Sequence, residues 1–452
     1  MNRPSTRLAL RFAALSLLLL PFVAGCGGSG STGGVLTLRV WYSTDDPVER
    51  GWSQTLARQY SRSHPHVRVA LSDFSFEDMN TKLQLALTSG TPPDVAYVTP
   101  RGPGIPAYLA AHRLFNLSAA AQQRGWSAAL RPGLLSSYNA PFALYGAPKG
   151  SVMAVPTTLA AVAVLYNRRL LTRLHLSIPA SLTQFETDLA KAKRAGYTPI
   201  GIGNADGWLG DDWYLTLVQA LVPPGALTPE QRLQRGFSFR KPPFLQAARL
   251  LKSWADQGYL TPNFGGLDAQ EGVDLFFHGN TLFQMISSSE NLQIGQDEAQ
   301  MRLPVGVFAF PRKGGRTVMP QSGYLGWVVP AAGTHHAQAI GFIDSLLRPT
   351  LGEVIRRQGF LPATASAGRV PGPTRRSTTQ SWLNDYQQSL QAAEPGVYID
   401  AAPIANLNAT MEANVQLLLQ GYEPPSFLLT ALQESYATRG ARGSTARIDG
   451  EF

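Results

Sequence analysis

The sequence holds one cysteine, Cys26, in 452 residues. A single thiol excludes an intramolecular disulfide, and without a CxxC pair the chain has neither a thiolate zinc site nor a dithiol redox motif. It also lacks a P-loop, a G-x-S-x-G nucleophile turn, an H-E-x-x-H metal helix and any internal repeat. Beyond the N-terminus no apolar run is long enough to span a bilayer. Charged residues make up only 15% of the chain against 44% hydrophobic residues, which is enough apolar material for the cores of two or three domains. The basic residues are scattered, with no block and no interleaved aromatics, so a clustered nucleic-acid patch is excluded. What remains is a solvated, mildly basic surface that is compatible with anionic lipid head groups.

What is present begins with Arg3, Arg7 and Arg11, an apolar stretch Phe12–Val23 and small residues, the three zones of a secretory signal. Its end, "VAGC", resembles the lipobox of bacterial lipoproteins: an aliphatic residue, two small ones, then cysteine. Small side chains admit the backbone to a peptidase cleft, and the Cys26 thiol supplies the sulfur that receives diacylglycerol. Residues 1–25 are then a signal peptide and residues 26–34, with "GGSGSTGG", a flexible lipid-anchored tether. Removing three arginines and no acid lowers the formal charge from +9 to +6.

The folded part opens with "VLTLRVWY" (Val35–Tyr42), patterned as a buried strand. A helix over Gly51–His64, a strand Val67–Leu71, a helix "FEDMNTKLQLALTSG" stopped by Gly90, and a strand "PDVAYV" follow. "MAVPTTLAAVAVLYNRRLL" joins a strand, a proline break and a second apolar run. "SLTQFETDLAKAKRAGY" has helical spacing and Ser181 as N-cap. Strands are also expected at "TPIGIG", "GNTLFQMI", "RLPVGVFAFP" and "GYLGWVVP", and helices at "GWLGDDWYLTLVQAL", "AQAIGFIDSLLRP" and "LGEVIRRQG". After a Pro/Gly/Arg/Ser-rich linker at 366–378 the chain is mostly helical. Alternating strands and helices predict a mainly parallel α/β sheet, whose ligands bind at loops leaving the strand carboxyl ends.

Five of these stretches, in this order, resemble the extracellular solute-binding proteins of bacterial ABC importers, in the sugar-binding family that includes maltose-binding protein. They are "LRVWYSTDD", "FEDMNTKLQLALTSGTPPDVAYV", "MAVPTTLAAVAVLYN", "FFHGNTLFQMISSSE" and the run "VGVFAFPRKGG…SGYLGWVVPAAGTHHAQAIGFIDSLL…QGFLPAT", together spanning about residues 35–440. The resemblance implies a two-lobed α/β periplasmic-binding-protein-like fold (class II) with a ligand cleft between the lobes. Three hinge crossings are expected near Pro156–Ala160, Ser322–Gly326 and Leu361–Thr364. Lobe 1 would comprise 35–157 and 326–361, lobe 2 158–325 and 362–440, with a flexible tail at 441–452. Ligand contacts on both lobes favour a closed state, which the permease distinguishes from the open one. Anchoring at Cys26 raises the receptor's effective concentration at the permease. A monomer with a small-molecule carbohydrate ligand, no cofactor, no metal and no nucleic-acid partner is expected.

Sugar recognition needs planar polar side chains for hydroxyls and aromatic faces for pyranose rings. Ser43, Asp45 and Asp46 leave the first strand where the resemblance places ligand contacts; a solvated loop or helix cap is the competing role. Trp41, within that strand, is expected in the core. Thr99 and Arg101 follow the third strand, with a plain surface loop as the alternative, and Asp94 is expected to cap local backbone amides. Thr157 and Thr158 lie on the first crossing. In "GNADGWLGDDWY", Trp208 or Trp213 would stack on a sugar and Asp211 or Asp212 would bind hydroxyls; the competing role of Trp213 is a buried helix start. In "ISSSEN" the tryptophan common in the family is replaced, so Ser288, Ser289 or Glu290 would hydrogen-bond instead of stacking, which counts against a long maltodextrin-like ligand. Ser322, Gly323 and Tyr324 complete the set at the second crossing, with Asn406 and Asn408 as weaker candidates.

Two further classes bear on the same residues. A glycoside hydrolase would need opposed carboxylates; Asp45/Asp46 and Asp211/Asp212 are available, but adjacent residues do not supply that geometry, and whether one from each pair converges is a matter of tertiary structure. "SFRK" (Ser238–Lys241) fits S-x-x-K, but "SYN" at Ser137 precedes it and K-T-G is absent. His335 and His336 are adjacent and expected on a solvated loop. No catalytic residue is therefore assigned. A receptor for a glycerophosphodiester or other phosphorylated polyol is the nearer alternative, with Arg101 and Lys149 as its discriminating cations.

Overall fold

The computed structural model describes residues 34–44, 47–100, 104–223, 226–227, 237–288, 302–312, 316–357, 360–365, 379–397 and 407–445; Cys26 and most of its tether lie outside them. The strands are β1 (Leu36–Ser43), β2 (Val67–Phe74), β3 (Val95–Val98), β4 (Thr158–Asn167), β5 (Thr198–Gly201), β6 (Thr281–Ser287), β7 (Val305–Phe308), β8 (Phe310–Pro311), β9 (Thr317–Gly323), β10 (Gly326–Val328), β11 (Leu361–Pro362) and β12 (Glu394–Val397).

They form two sheets. The smaller has the order β10-β3-β1-β2, with β1 parallel to β2 and β3, and β10 antiparallel to β3. In β1, alternation buries Leu38, Val40 and Tyr42 fully and turns Thr37 and Arg39 outward. Across the sheet Tyr42, Tyr97 and Trp327 pile up, with centroids 4.9 Å apart for Tyr42–Tyr97 and 4.5 Å for Tyr97–Trp327. The helix Phe76–Ser89 starts where the Ser75 hydroxyl accepts the Asp78 amide (3.1 Å) and ends at Gly90, whose φ of 78° suits glycine.

The larger sheet is eight-stranded, with the path β12-β9-β4-β6-β5 and β7, β8 and β11 attached. Its central strand β4 is buried at every residue, as a strand covered on both faces requires. β9 was not foreseen: "TVMPQSG" contains a proline and shows no alternation, and it is a strand because it pairs with β4 on one side and β12 on the other.

The three crossings lie side by side. Val155 bridges Trp327, and Leu159 pairs with both Gly323 of β9 and Leu361 of β11. The Tyr324 amide donates to the Thr158 carbonyl (3.0 Å) and the Ala363 amide to the Thr157 carbonyl (2.9 Å). One apolar core runs through this junction, taking Leu38, Val40 and Tyr42 from the small sheet and Ala163, Leu165 and Val307 from the large one, with Leu159, Leu325 and Leu361 between them. A second core, around Phe185, Trp213, Trp254 and Phe283, belongs to the large sheet alone.

Candidate functional site

The carboxyl ends of β1 and β3 supply one wall. Ser43 ends β1 opposite Phe74 and is 2% exposed; the buried Thr44 donates its amide to the Phe74 carbonyl at 2.9 Å. Asp45, Asp46 and Arg101 lie outside the described residues. Thr99 is half-buried, and its carbonyl accepts the Ile105 amide (3.1 Å) at the start of the helix Ile105–Ala110. Trp41, expected in the core, is only half-buried and meets Phe74 edge-on with centroids 4.9 Å apart.

Asp94 is structural, but the backbone it holds is not local: its Oδ2 accepts the Arg39 amide of β1 at 2.7 Å, and its Oδ1 accepts the His335 Nδ1–H at 3.0 Å. The two histidines are thus not on a solvated loop. Both are half-buried, and His336 bonds the Pro330 carbonyl through Nε2 (3.1 Å) with its ring against Phe115.

The crossings form the floor. Thr157 is fully buried and its hydroxyl accepts the Trp327 indole N–H at 3.0 Å; the Thr158 hydroxyl is 2.8 Å from the Tyr97 phenol. Both hydroxyls are therefore engaged within the scaffold. Ser322, opposite Ala160, and Tyr324 are half-buried, whereas Gly323 is enclosed by Tyr138 and Pro156. Ser288 sits one residue past β6 and ties the large sheet to the first crossing. Its hydroxyl donates to the Leu159 carbonyl (2.9 Å) and accepts the Ala161 amide (3.0 Å). Its neighbours Ser289 and Glu290 lie outside the described residues, as does Asn406.

The second wall grows from the loop between β5 and the helix Trp208–Leu221. β5 is parallel to β6, so this loop leaves the same end of the sheet as Ser288. The buried Asn204 starts it, accepting the Gly210 amide at Oδ1 (2.7 Å). The Asn204 and Ala205 carbonyls accept the Gln416 amide group at 3.1 and 3.2 Å, which fastens the loop to the helix Leu407–Leu419. Gly207, at φ 87°, passes so close that a Cβ there would stand 3.0 Å from Glu412 Cβ. Trp208 is half-buried and donates its indole N–H to Asp206 (3.1 Å). Asp211 and Asp212 are buried in the first turns, where carboxylates suit the helix dipole. Burial, and then the Asp211 charge, push the Tyr214 phenol well above its ordinary range. On the facing helix Asn408 donates to Glu412 at 2.8 Å.

Of the residues nominated from sequence, Trp208, Asp211, Asp212 and Asn408 are thus carried on two helices packed together. Trp213 is not in this group. It is 0% exposed, ringed by Phe185, Trp254 and Phe310 at 6.0, 5.8 and 6.1 Å, and has no face left for a ligand. Asn204, Asp206 and Glu412 were missed; the first two lie in the polar loop already singled out, and Glu412 is one turn from Asn408. Ser238, of the S-x-x-K match, caps a turn by donating to Gln433 (2.9 Å) and accepting the Arg240 amide (3.1 Å). Among the described residues no cluster of His, Cys, Asp and Glu would hold a metal, and no helix is long and apolar enough to cross a membrane.

Loops at the strand carboxyl ends of the two sheets are thus joined by three adjacent crossings. Residues 45–352 match the family described as bacterial extracellular solute-binding protein. The chain belongs to that family. It is 21% identical over 292 residues to the multiple sugar-binding protein of Streptococcus mutans, a match covering 64% of this chain and 66%, just under two thirds, of that relative's length. Among solved structures it is similar to a chitin oligosaccharide binding protein, with TM-score 0.71, 21% identity, and 90% of this chain and 99% of the other covered. It is also similar to a probable secreted solute-binding lipoprotein from Streptomyces coelicolor, with TM-score 0.73, 16% identity, and coverages of 89% and 98%. The two-lobed class II architecture expected from the sequence is the fold of this family member, and these relatives are binding proteins by description.

Proposed function

We propose that the chain is the lipid-anchored substrate receptor of an ABC importer, holding a mono- or oligosaccharide between its lobes and delivering it to the permease without covalent chemistry. The observation that carries this is the second wall. A half-buried indole, Trp208, donates to Asp206 from a helix that also carries the buried Asp211 and Asp212, and this helix packs against the one that carries Asn408 and Glu412. Carboxylates accept paired hydroxyl hydrogen bonds, and an indole covers the apolar face of a pyranose. The same carboxylates would repel a phosphorylated polyol, and Lys149, one of its two discriminating cations, is exposed on the loop after the helix-rich segment of lobe 1. The sugar-binding descriptions of the relatives agree with a carbohydrate ligand.

A thermal-shift screen of the mature chain against mono- and oligosaccharides and glycerophosphodiesters tests this, because a ligand that binds only the folded form raises the melting temperature. A saccharide that raises it supports the proposal. Stabilisation by the phosphodiesters alone, or turnover of labelled oligosaccharides, overturns it.

A further inference from the structure

Tyr138 belongs to the helix Leu134–Asn139, whose Leu134 and Leu135 are anchored in the core shared with the small sheet. Its ring, 5% exposed, occupies the space that side chains would need at two glycines of the second crossing. A Cβ on Gly323 would stand 2.5 Å from Pro156 Cβ and 2.6 Å from Tyr138 Cδ2; a Cβ on Gly326 would stand 2.6 Å from Tyr138 Oη. Neither glycine has a positive φ, so space and not backbone freedom requires glycine there. Gly323 is the last residue of β9 in the large sheet, and Gly326 opens β10 in the small one. One lobe 1 ring therefore lies against the ends of both sheets, and Pro156 of the first crossing closes the same space at Gly323.

The first crossing is bracketed as well. Thr157 and Thr158 are tied to the small sheet through Trp327 and Tyr97, while Ala161 is tied from the other side by Ser288 and by the Tyr386 phenol donating to its carbonyl. Between these pins Leu159 and Ala160 are held in β4, and Leu159 pairs with Gly323, the glycine on which Tyr138 rests, so the ring bears on a stretch that joins the two sheets here. We propose that Tyr138 is a positioning residue that sets the resting angle between the lobes, with Gly323 kept bare to seat its ring. Because the apparent affinity of a hinged receptor scales with the population of its binding-competent state, Tyr138 then tunes affinity without touching the ligand. That consequence rests on the receptor function proposed above; the geometric inference does not.

The test needs no ligand, so its outcome is separable from that of the saccharide screen. Small-angle scattering of the ligand-free mature chain is compared for wild type, Gly323→Ala, Tyr138→Ala and Tyr138→Phe, each with its melting temperature. Gly323→Ala and Tyr138→Ala are expected to shift the radius of gyration beyond the spread of wild-type replicates, and Tyr138→Phe, which keeps the ring at Gly323, to shift it less than Tyr138→Ala. A merely structural role would lower the melting temperature and leave the scattering of the folded fraction unchanged, and that result overturns the proposal. If Gly323→Ala fails to fold, the two Tyr138 variants decide by the same criterion.

Discussion

Trp208 and Trp213 stand on one helix in opposite surroundings, and their substitutions separate binding from stability. Trp208→Ala is expected to weaken saccharide binding about 10-fold, the effect of losing one stacking face, with little change in melting temperature. Trp213→Ala removes a ring enclosed by Phe185, Trp254 and Phe310, and about 3–5 kcal/mol of stability should go with it. Calorimetry on the first and thermal melts on the second check the pair; a Trp213→Ala protein of wild-type stability would be the contrary result. Asp188 gives a pH signature. Burial raises its carboxyl from the ordinary 3.8 to about 6, with Lys191 partly opposing, and its Oδ2 has no hydrogen-bond partner among the described residues. Between those values the folded state holds a proton that the unfolded state has lost. Stability from this group is therefore full below pH 3.8 and falls as pH rises through about 6. Asp188→Asn should flatten that slope and stabilise the chain at neutral pH by about 1 kcal/mol, less than the whole shift because the amide must also be accommodated in the buried site. Melts of both proteins at pH 4 and pH 7 measure it.

At the scale of elements, the loop after β5 depends on backbone meeting backbone. A Cβ on Gly203 would overlap the Asp268 carbonyl, and one on Gly272, in the helix Ala269–Leu275, would overlap the Gly203 amide. The helix thus lies directly on the loop that carries the second wall. Gly272→Ala must push that helix off, so a lower melting temperature together with weaker binding is expected. Gly51, in the helix Pro47–Ser63, has nothing within 4 Å of a Cβ, and Gly51→Ala should stabilise by about 0.5–1 kcal/mol through helix propensity. Parallel melts of the two alanine variants read both effects. Periodicity made β1 and the capped helix Phe76–Ser89 legible, since each buries a patterned face, and β2 and β3 were legible as short apolar runs between polar turns. Periodicity missed β9, whose strand character comes from its neighbours, and the short helices between Ile105 and Tyr145, which are too brief to show a period.

For the whole molecule, the proposed anchor makes location a property of one atom, the Cys26 sulfur. Cys26→Ser is expected to abolish lipid labelling and release the protein from membranes while saccharide binding by the folded part is unchanged. Membrane fractionation and labelling decide it, and continued lipidation of the serine variant would sink the anchor. The folded part needs no membrane contact for this scheme, in keeping with the absence among the described residues of any helix suited to spanning a bilayer.

The sequence by itself determined the class of protein, because hydrophobic period, caps and motif order are local and survive in one dimension. It also determined which loops carry the polar and aromatic residues of the second wall. Only the tertiary structure decided between Trp208 and Trp213, since burial depends on Phe185, Trp254 and Phe310 arriving from distant segments. It likewise showed that the Thr157 and Thr158 hydroxyls are engaged by Trp327 and Tyr97, and that Gly323 is bare to admit Tyr138. Those outcomes turn on which groups from separated stretches of chain meet in the folded molecule, and no local pattern encodes that meeting.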